Sequence, residues 1–255
     1  MVPLHNLSIT LIAALALLTP ELAPTGTLRA SFLATNPVQG RVDARTGEVT
    51  GPVADLVREL ARRRGVPFTI IPVADAAAVI ESITSRKADI GFLAFEAARA
   101  AQVDFSRPYA NMANGYLVRA DSPITRSADV DRTGVKVGAV KGQSQEIFVS
   151  ANLKQARIEV LPLMPADEAV ARMIIGGELD AFAANRSRME AVARTSPKLR
   201  LLADDFLVVV QAIVVPRGES SRLEELNRFL ADVLASGFMK ASIERAKISG
   251  VEVPR

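Results

Sequence analysis

Residues 89–109 read Asp89-Ile-Gly-Phe-Leu-Ala-Phe95-Glu-Ala-Ala-Arg99-Ala-Ala-Gln-Val103-Asp-Phe-Ser-Arg-Pro-Tyr109. Positions 89–95 read as a continuous buried strand, apolar from Ile90 onward, the pattern of a strand buried on both faces. Arg99 follows four residues later, just beyond the strand's carboxyl end. Open α/β sheets bind ligands in the crevice outside those ends. A guanidinium offers a planar fork that matches a carboxylate in a bidentate pair, which lysine cannot reproduce. Arg99 is therefore the leading candidate for an anion-binding residue. The local sequence leaves a plainer alternative open, because most arginines are exposed and one could simply solvate a short helix.

Working outward, the same strand–helix alternation recurs in both directions, which implies an α/β fold built on mostly parallel sheets with crossover helices. Residues 28–34 read as a strand. Pro52 then opens a helix with Val53, Leu56, Val57 and Leu60 at helical spacing, and Gly65 stops it. Residues 68–73 make the next strand and 76–85 the next helix. A second, similar series starts after Asp121-Ser122-Pro123, with strands at 135–140, 158–161 and 179–183 and helices at 143–153 and 165–175. A long apolar strand at 206–215 leads into helical stretches at 220–235 and 237–248. A chain of 255 residues could be one large domain or two lobes of roughly 100 residues each, and because single cores stop growing beyond about 250 residues two lobes are the expectation.

Composition narrows the function. Hydrophobic residues make up 49% and charged residues 23%, which supplies an ample core and argues against disorder. The net charge of +3 is too weak, and the basic residues too scattered, to indicate a nucleic-acid partner. The triplet Arg62-Arg63-Arg64 closes a helix, where cations complement the dipole. Without cysteine there are no disulfides or thiolate metal sites. His5 is the sole histidine, so neither a metal centre nor a cofactor is expected. Residues 7–18 are apolar over the length of a signal-peptide core. Segment 1–23 is read as a signal peptide leading to the periplasm. An uncleaved anchor and a misassigned start codon, which would leave a cytoplasmic protein, are the alternatives.

The run Arg99, Val103, Asp104, Phe105, Ser106, Pro108, Tyr109 resembles the Arg-x-x-x-Val-Asp-Phe-Ser-x-Pro-Tyr signature of the family 3 extracellular solute-binding proteins of ABC transporters. The resemblance covers nearly everything from Leu28 to about Gly250. It implies a two-lobed, type II periplasmic-binding-protein-like fold with the ligand cleft between the lobes. Lobe 1 would comprise 28–110 and 210–255, and lobe 2 would comprise 111–209, with crossings near 109–113 and 205–210. It also implies a monomer that captures an amino acid or related carboxylate and delivers it to a permease, with Arg99 on the ligand's α-carboxylate.

Two further stretches support the resemblance. Gly138-Ala-Val-Lys-Gly142-Gln-Ser144-Gln-Glu146 is similar to the family's Gly-x-x-x-Gly-Ser/Thr-Thr element, whose hydroxyl and amides close over the same carboxylate. Ser144 matches the hydroxyl and Gln143 stands beside it, although a plain helix cap explains the same residues. Gly177-Glu-Leu-Asp180-Ala-Phe-Ala-Ala-Asn185 is similar to Gly-x-x-Asp-Ala-x-x-x-Asp, whose last Asp receives a ligand ammonium in many amino-acid receptors. Here it is Asn185, which carries no charge. Ala94 and Glu96 replace the hydroxyls of Thr-x-Thr-x-x-Arg. Glu96 could take the ammonium, pair with Arg99, or favour the N-terminal end of a short helix. The aromatic sandwich is missing, with Val38 and the alanines at 76–78 in its place, while Asn36 and Gln39 are polar candidates from the first loop. These departures predict a solute other than a standard α-amino acid held in the usual manner. The same scaffold also hosts cyclohexadienyl and arogenate dehydratases, and Glu96 is the acid such a lyase would need. A stand-alone ligand sensor is the third option.

Overall fold

The computed structural model describes residues 22–254. In chain order the first part runs β1 (Leu28–Leu33), β2 (Arg41–Val42), β3 (Val49–Thr50), α1 (Pro52–Arg64), β4 (Phe68–Val73), α2 (Ala76–Thr84), β5 (Ile90–Ala94), α3 (Ala97–Ala100) and the long β6 (Val103–Arg119). Next come β7 (Lys136–Val140), α4 (Ser144–Asn152), β8 (Arg157–Leu161), α5 (Asp167–Ile175), β9 (Ala181–Asn185), α6 (Arg186–Ala193) and β10 (Leu199–Leu201). The chain closes with β11 (Leu207–Pro216), α7 (Ser220–Ala235), α8 (Phe238–Arg245) and β12 (Val251–Glu252).

Helix α1 follows directly from its sequence. Pro52 lacks an N–H where the helix needs none, and Val53, Leu56, Val57 and Leu60 form the buried stripe. Gly65 ends it at φ 64°, in the left-handed region that glycine enters without strain, donating back to the Ala61 and Arg62 carbonyls. The basic triplet belongs to this helix end. Arg62 and Arg63 pair with Glu59, and Arg64 pairs with Glu225.

The principal sheet has the order β4-β1-β5-β11-β6-β9-β7-β8, with β10 and β12 added alongside β6. Strand β1 lies between parallel neighbours β4 and β5, and β7 between parallel neighbours β8 and β9. Strands β11 and β6 run antiparallel to each other between the two parallel sets, from Leu207 opposite Asn114 to Pro216 opposite Val103. Strand β6 then continues through Asn114–Val118 as the partner of β9. One strand therefore serves both halves of the molecule, which is a two-lobed α/β fold.

The cores divide the same way. Two clusters draw on residues 22–110 and 213–253, around Leu28, Phe32, Leu56, Phe92 and Phe229 and around Val79, Ile83, Leu93 and Val214. Two others draw on residues 116–206, around Leu117, Ile174, Phe182 and Met189 and around Tyr116, Val137, Val149 and Leu202. The stretch 111–115 of β6 joins none of them. Residues 1–21 of the segment read as a signal peptide, with His5, lie outside the described residues. Leu22 and Ala23 are buried in the first core.

Three features depart from the sequence reading. The strand expected at 179–183 begins at Ala181, because Asp180 is held in the preceding turn: its amide donates to the Lys136 carbonyl and its carboxylate accepts from the Lys136 amide at 2.8 Å. Helix α6 was not anticipated. Nor was the C-terminal segment, in which β12 pairs with β6 at Asn111 and Met112 while Ser249 donates to Glu190 of α6 at 2.6 Å.

Candidate ligand-binding cleft

A cavity of about 40 Å³ lies where the ends of β1 and β5 meet the start of α4 and the end of β9, floored by Met112 of β6 and by Val209 and Gln211 of β11. That is space for the centres of about three waters. It continues into two outer clefts of about 650 and 320 Å³, with Met164 lining all three. Among the described residues that line the inner cavity, Arg99 is the sole charged group, and none is aromatic.

Arg99 sits on the four-residue α3, yet only 7% of it is exposed. One terminal nitrogen donates to the Ala94 carbonyl at 2.9 Å, and the other reaches across to the Gly142 carbonyl at 2.8 Å. Among the described residues it makes no ion pair. Burial pushes its guanidinium below the ordinary arginine value, with the nearby Glu96 charge partly opposing the shift. Gly142 takes φ 72°, a backbone that favours glycine, in the turn that offers its carbonyl to Arg99.

Ser144 is the first residue of α4. Its Oγ is buried without a hydrogen-bond partner, and Gln143 before it provides no side-chain cap. The first-turn N–H groups of a helix have no partner inside it, so this end offers donors.

The remaining candidates divide plainly. Asn36, Ala94, Gln143 and Asn185 line the same cavity as Arg99 and Ser144, as does Gln39. Asn185 also caps α6, its Oδ1 accepting from the Arg188 amide at 2.9 Å, and Asn36 Oδ1 accepts from the Val38 amide at 3.1 Å. Glu96 stands apart. It occupies the position before α3 without capping it through its side chain, makes no ion pair with Arg99, and does not line the cavity.

Sequence reading missed Gln145, Gln211, Met112 and Met164. Gln211 had a signal, since it is the one amide in the apolar run Leu207–Pro216 and is only 2% exposed. It accepts at 3.1 Å from Gln39 Nε2, while Gln39 Oε1 accepts from the Leu33 amide at 3.0 Å. Gln145 Nε2 donates at 2.5 Å to Asn114, a buried amide on β6. No group of three or more His, Cys, Asp or Glu among the described residues is placed to hold a metal ion.

A long strand shared by two lobes and a buried, anion-ready cleft beside it define a protein that binds a small solute. The chain belongs to the bacterial extracellular solute-binding proteins, family 3, whose model matches residues 28–246. It is 23% identical over 202 residues to the L-cystine-binding protein TcyJ of Escherichia coli (strain K12), covering 78% of this chain and 74% of that protein. An ArgBP mutant from T. maritima has a similar fold, with TM-score 0.74, 24% identity, and coverage of 89% of this chain and 97% of the other. The ancestral amino acid-binding protein AncCDT-1, described as a precursor of cyclohexadienyl dehydratase, matches with TM-score 0.74 and 23% identity over 88% of this chain and 96% of its own. The family is one of solute-binding proteins and not of enzymes.

Proposed function

We propose that the protein is the periplasmic receptor of an ABC transporter, taking up an amino acid or a related carboxylate as a monomer and handing it to a permease. The observation that carries this reading is Arg99: a buried guanidinium with no ion pair among the described residues, lining a small cavity opposite the unpartnered Ser144 hydroxyl. A buried charge is costly unless paired. A carboxylate entering the cavity supplies the missing charge and accepts from the α4 end as well.

In this proposal the lobes are 28–110 with 210–255, and 111–209. They rotate about the strands that pass between them near 109–113 and 205–210. Closure is favoured because a ligand held by Arg99 from one side and Ser144 from the other binds the closed form better than the open one. Asn36, Gln39, Gln143, Asn185 and Gln211 set orientation around that anchor. A lyase on this scaffold needs an acid in the cavity, and none lines it among the described residues, which favours the receptor.

The test is a thermal-shift screen over the twenty amino acids, hydroxy and keto acids, opines, dicarboxylates and small aromatic acids, followed by X-ray scattering with the best compound. A ligand at 100 times its Kd adds about 2.7 kcal/mol of stability, a readily measured shift. The radius of gyration should fall on binding. Compounds that raise the melting temperature but leave the scattering profile unchanged would remove lobe closure, and a screen with no shift at all would remove the receptor.

A further inference from the structure

The inner cavity carries six side-chain amides, and in four of them, Asn36, Gln39, Asn185 and Gln211, an internal hydrogen bond consumes the oxygen. Asn185 Oδ1 and Asn36 Oδ1 each accept from a backbone N–H, which fixes which end of the amide is oxygen, since only oxygen can accept there. Gln39 is used at both ends, accepting from Leu33 and donating to Gln211 and, at 3.4 Å, to the Phe92 carbonyl. The oxygen of Gln211 is thereby occupied. What remains on Asn36, Asn185 and Gln211 is the NH2 group, for which no partner is found among the described residues. The two exceptions lie at the α4 end: Gln145 donates to Asn114 and keeps its oxygen, and the Gln143 side chain makes no hydrogen bond among the described residues. To these donors are added Arg99 and the open N-terminal turn of α4.

A ligand ammonium brings three donors and a positive charge. Beside Asn36, Asn185 and Gln211 it would meet NH2 groups, with a guanidinium and a helix N-terminus also in the lining. Among the described residues no carboxylate lines the cavity, and the free side-chain amide oxygens are the neutral ones of Gln143 and Gln145 at the α4 end. Donor facing donor is left unsatisfied in a closed site, and the charge is left unpaired. An oxygen at the same place accepts from them.

We propose, building on the receptor reading above, that the cleft selects a carboxylate whose adjacent polar group is an oxygen acceptor, hydroxyl, keto or amide carbonyl, and discriminates against the same skeleton bearing a free ammonium. Asn185 and Gln211 are the specificity-determining residues. Both owe their donor polarity to partners elsewhere in the fold, the α6 backbone for one and Gln39 for the other.

The test is calorimetry on matched sets that share a skeleton: L-alanine, L-lactate and pyruvate; L-leucine with its 2-hydroxy and 2-keto acids; L-phenylalanine, L-glutamate and L-glutamine with theirs; and the N-acetyl amino acid of each. The oxygen-bearing acid of the preferred skeleton should bind at least tenfold more tightly than its amino acid. Asn185→Asp keeps the α6 cap, because Asp caps as well as Asn, and should shrink or reverse that preference by tenfold or more. Gln211→Glu keeps an acceptor for Gln39 and serves as a second, independent variant expected to move in the same direction. An amino acid that binds as tightly as its hydroxy and keto counterparts, in an Arg99-dependent way, overturns the proposal and leaves the receptor standing. Failure of every carboxylate, with or without nitrogen, overturns both together.

Discussion

Two buried arginines stand on opposite sides of the cleft, and their surroundings differ. Arg188, on α6 in the second lobe, is 9% exposed and satisfied within its own lobe: its guanidinium donates to Asp167 at 2.7 Å and to the Pro165 carbonyl at 2.7 Å. Arg99, on α3 in the first lobe, is as deeply buried, but its two bonds go to neutral carbonyls, one of them across the cleft on Gly142. Only the first has a compensating carboxylate. The cost of removing a charge from water is met inside the fold for Arg188 and, in the receptor proposed above, is left for a ligand to meet for Arg99. Burial alone therefore does not distinguish a binding arginine from a structural one. The partner does.

The sharpest way to break that comparison is to truncate each in turn. Arg99→Ala should reduce affinity for the best carboxylate by about 2–5 kcal/mol, the range for a desolvated ion pair. Arg99→Lys should also lose affinity because the planar fork is gone. Neither should lower the melting temperature of the unliganded protein much, since no ion pair is broken. Unchanged calorimetric affinity in both variants would take Arg99 out of the site.

Arg188→Ala should do the reverse. Its loss removes an ion pair and a carbonyl contact, and the Asp167 side chain, 42% exposed, stays hydrated. That hydration discounts the penalty, so a loss of about 1–2 kcal/mol is expected in denaturant unfolding. Affinity should fall less than tenfold. A variant that melts normally but binds poorly would make Arg188, which borders the outer cleft, a second ligand cation.

How far this was legible beforehand differs between fold and site. Pro52, Gly65 and the stripe between them announce α1, because helix punctuation and periodicity are local. Strand β6 is not announced along its length. Pro108, Asn111, Asn114 and Gly115 look like loop residues until β11, β9 and β12 supply partners; Asn114, for instance, donates to the Met112 and Leu207 carbonyls and accepts from Gln145. Arg99 was readable from its place after a strand end and from its signature. Gln211 was marked only as the one amide in an apolar run; its polarity was not readable, since that depends on Gln39, far away in the chain and brought alongside only by the fold. Sequence shows that an amide is present but not which of its ends is free. Glu96 is the complementary case. Its position near the N-terminus of α3 was readable, whereas the side it faces is fixed by packing.

The smallest expected effects sharpen the comparison from the acidic side. Among the described residues no Asp, Glu, His or Lys lines the inner cavity, and burial lowers Arg99 from the strongly basic range of an ordinary arginine, far above neutrality. Affinity for a carboxylate should accordingly be flat from about pH 6 to pH 9. It should fall only as the ligand's own carboxyl group protonates, near pH 4 and below, because the neutral acid no longer compensates the guanidinium. Glu96 lies outside the cavity and influences Arg99 only through space, where its negative charge favours the cation and slightly weakens the pull on an incoming anion. Glu96→Gln should thus change affinity by no more than about twofold, a few tenths of a kcal/mol, as expected of a solvent-screened charge. Calorimetry of the parent and of this variant across the pH range checks both points. A tenfold loss in Glu96→Gln confined to ligands with a free ammonium would mean that Glu96 turns into the cleft when they bind. Arg99 would then have a ligand-dependent acidic neighbour, and its contrast with Arg188 would lie in timing as well as in partner.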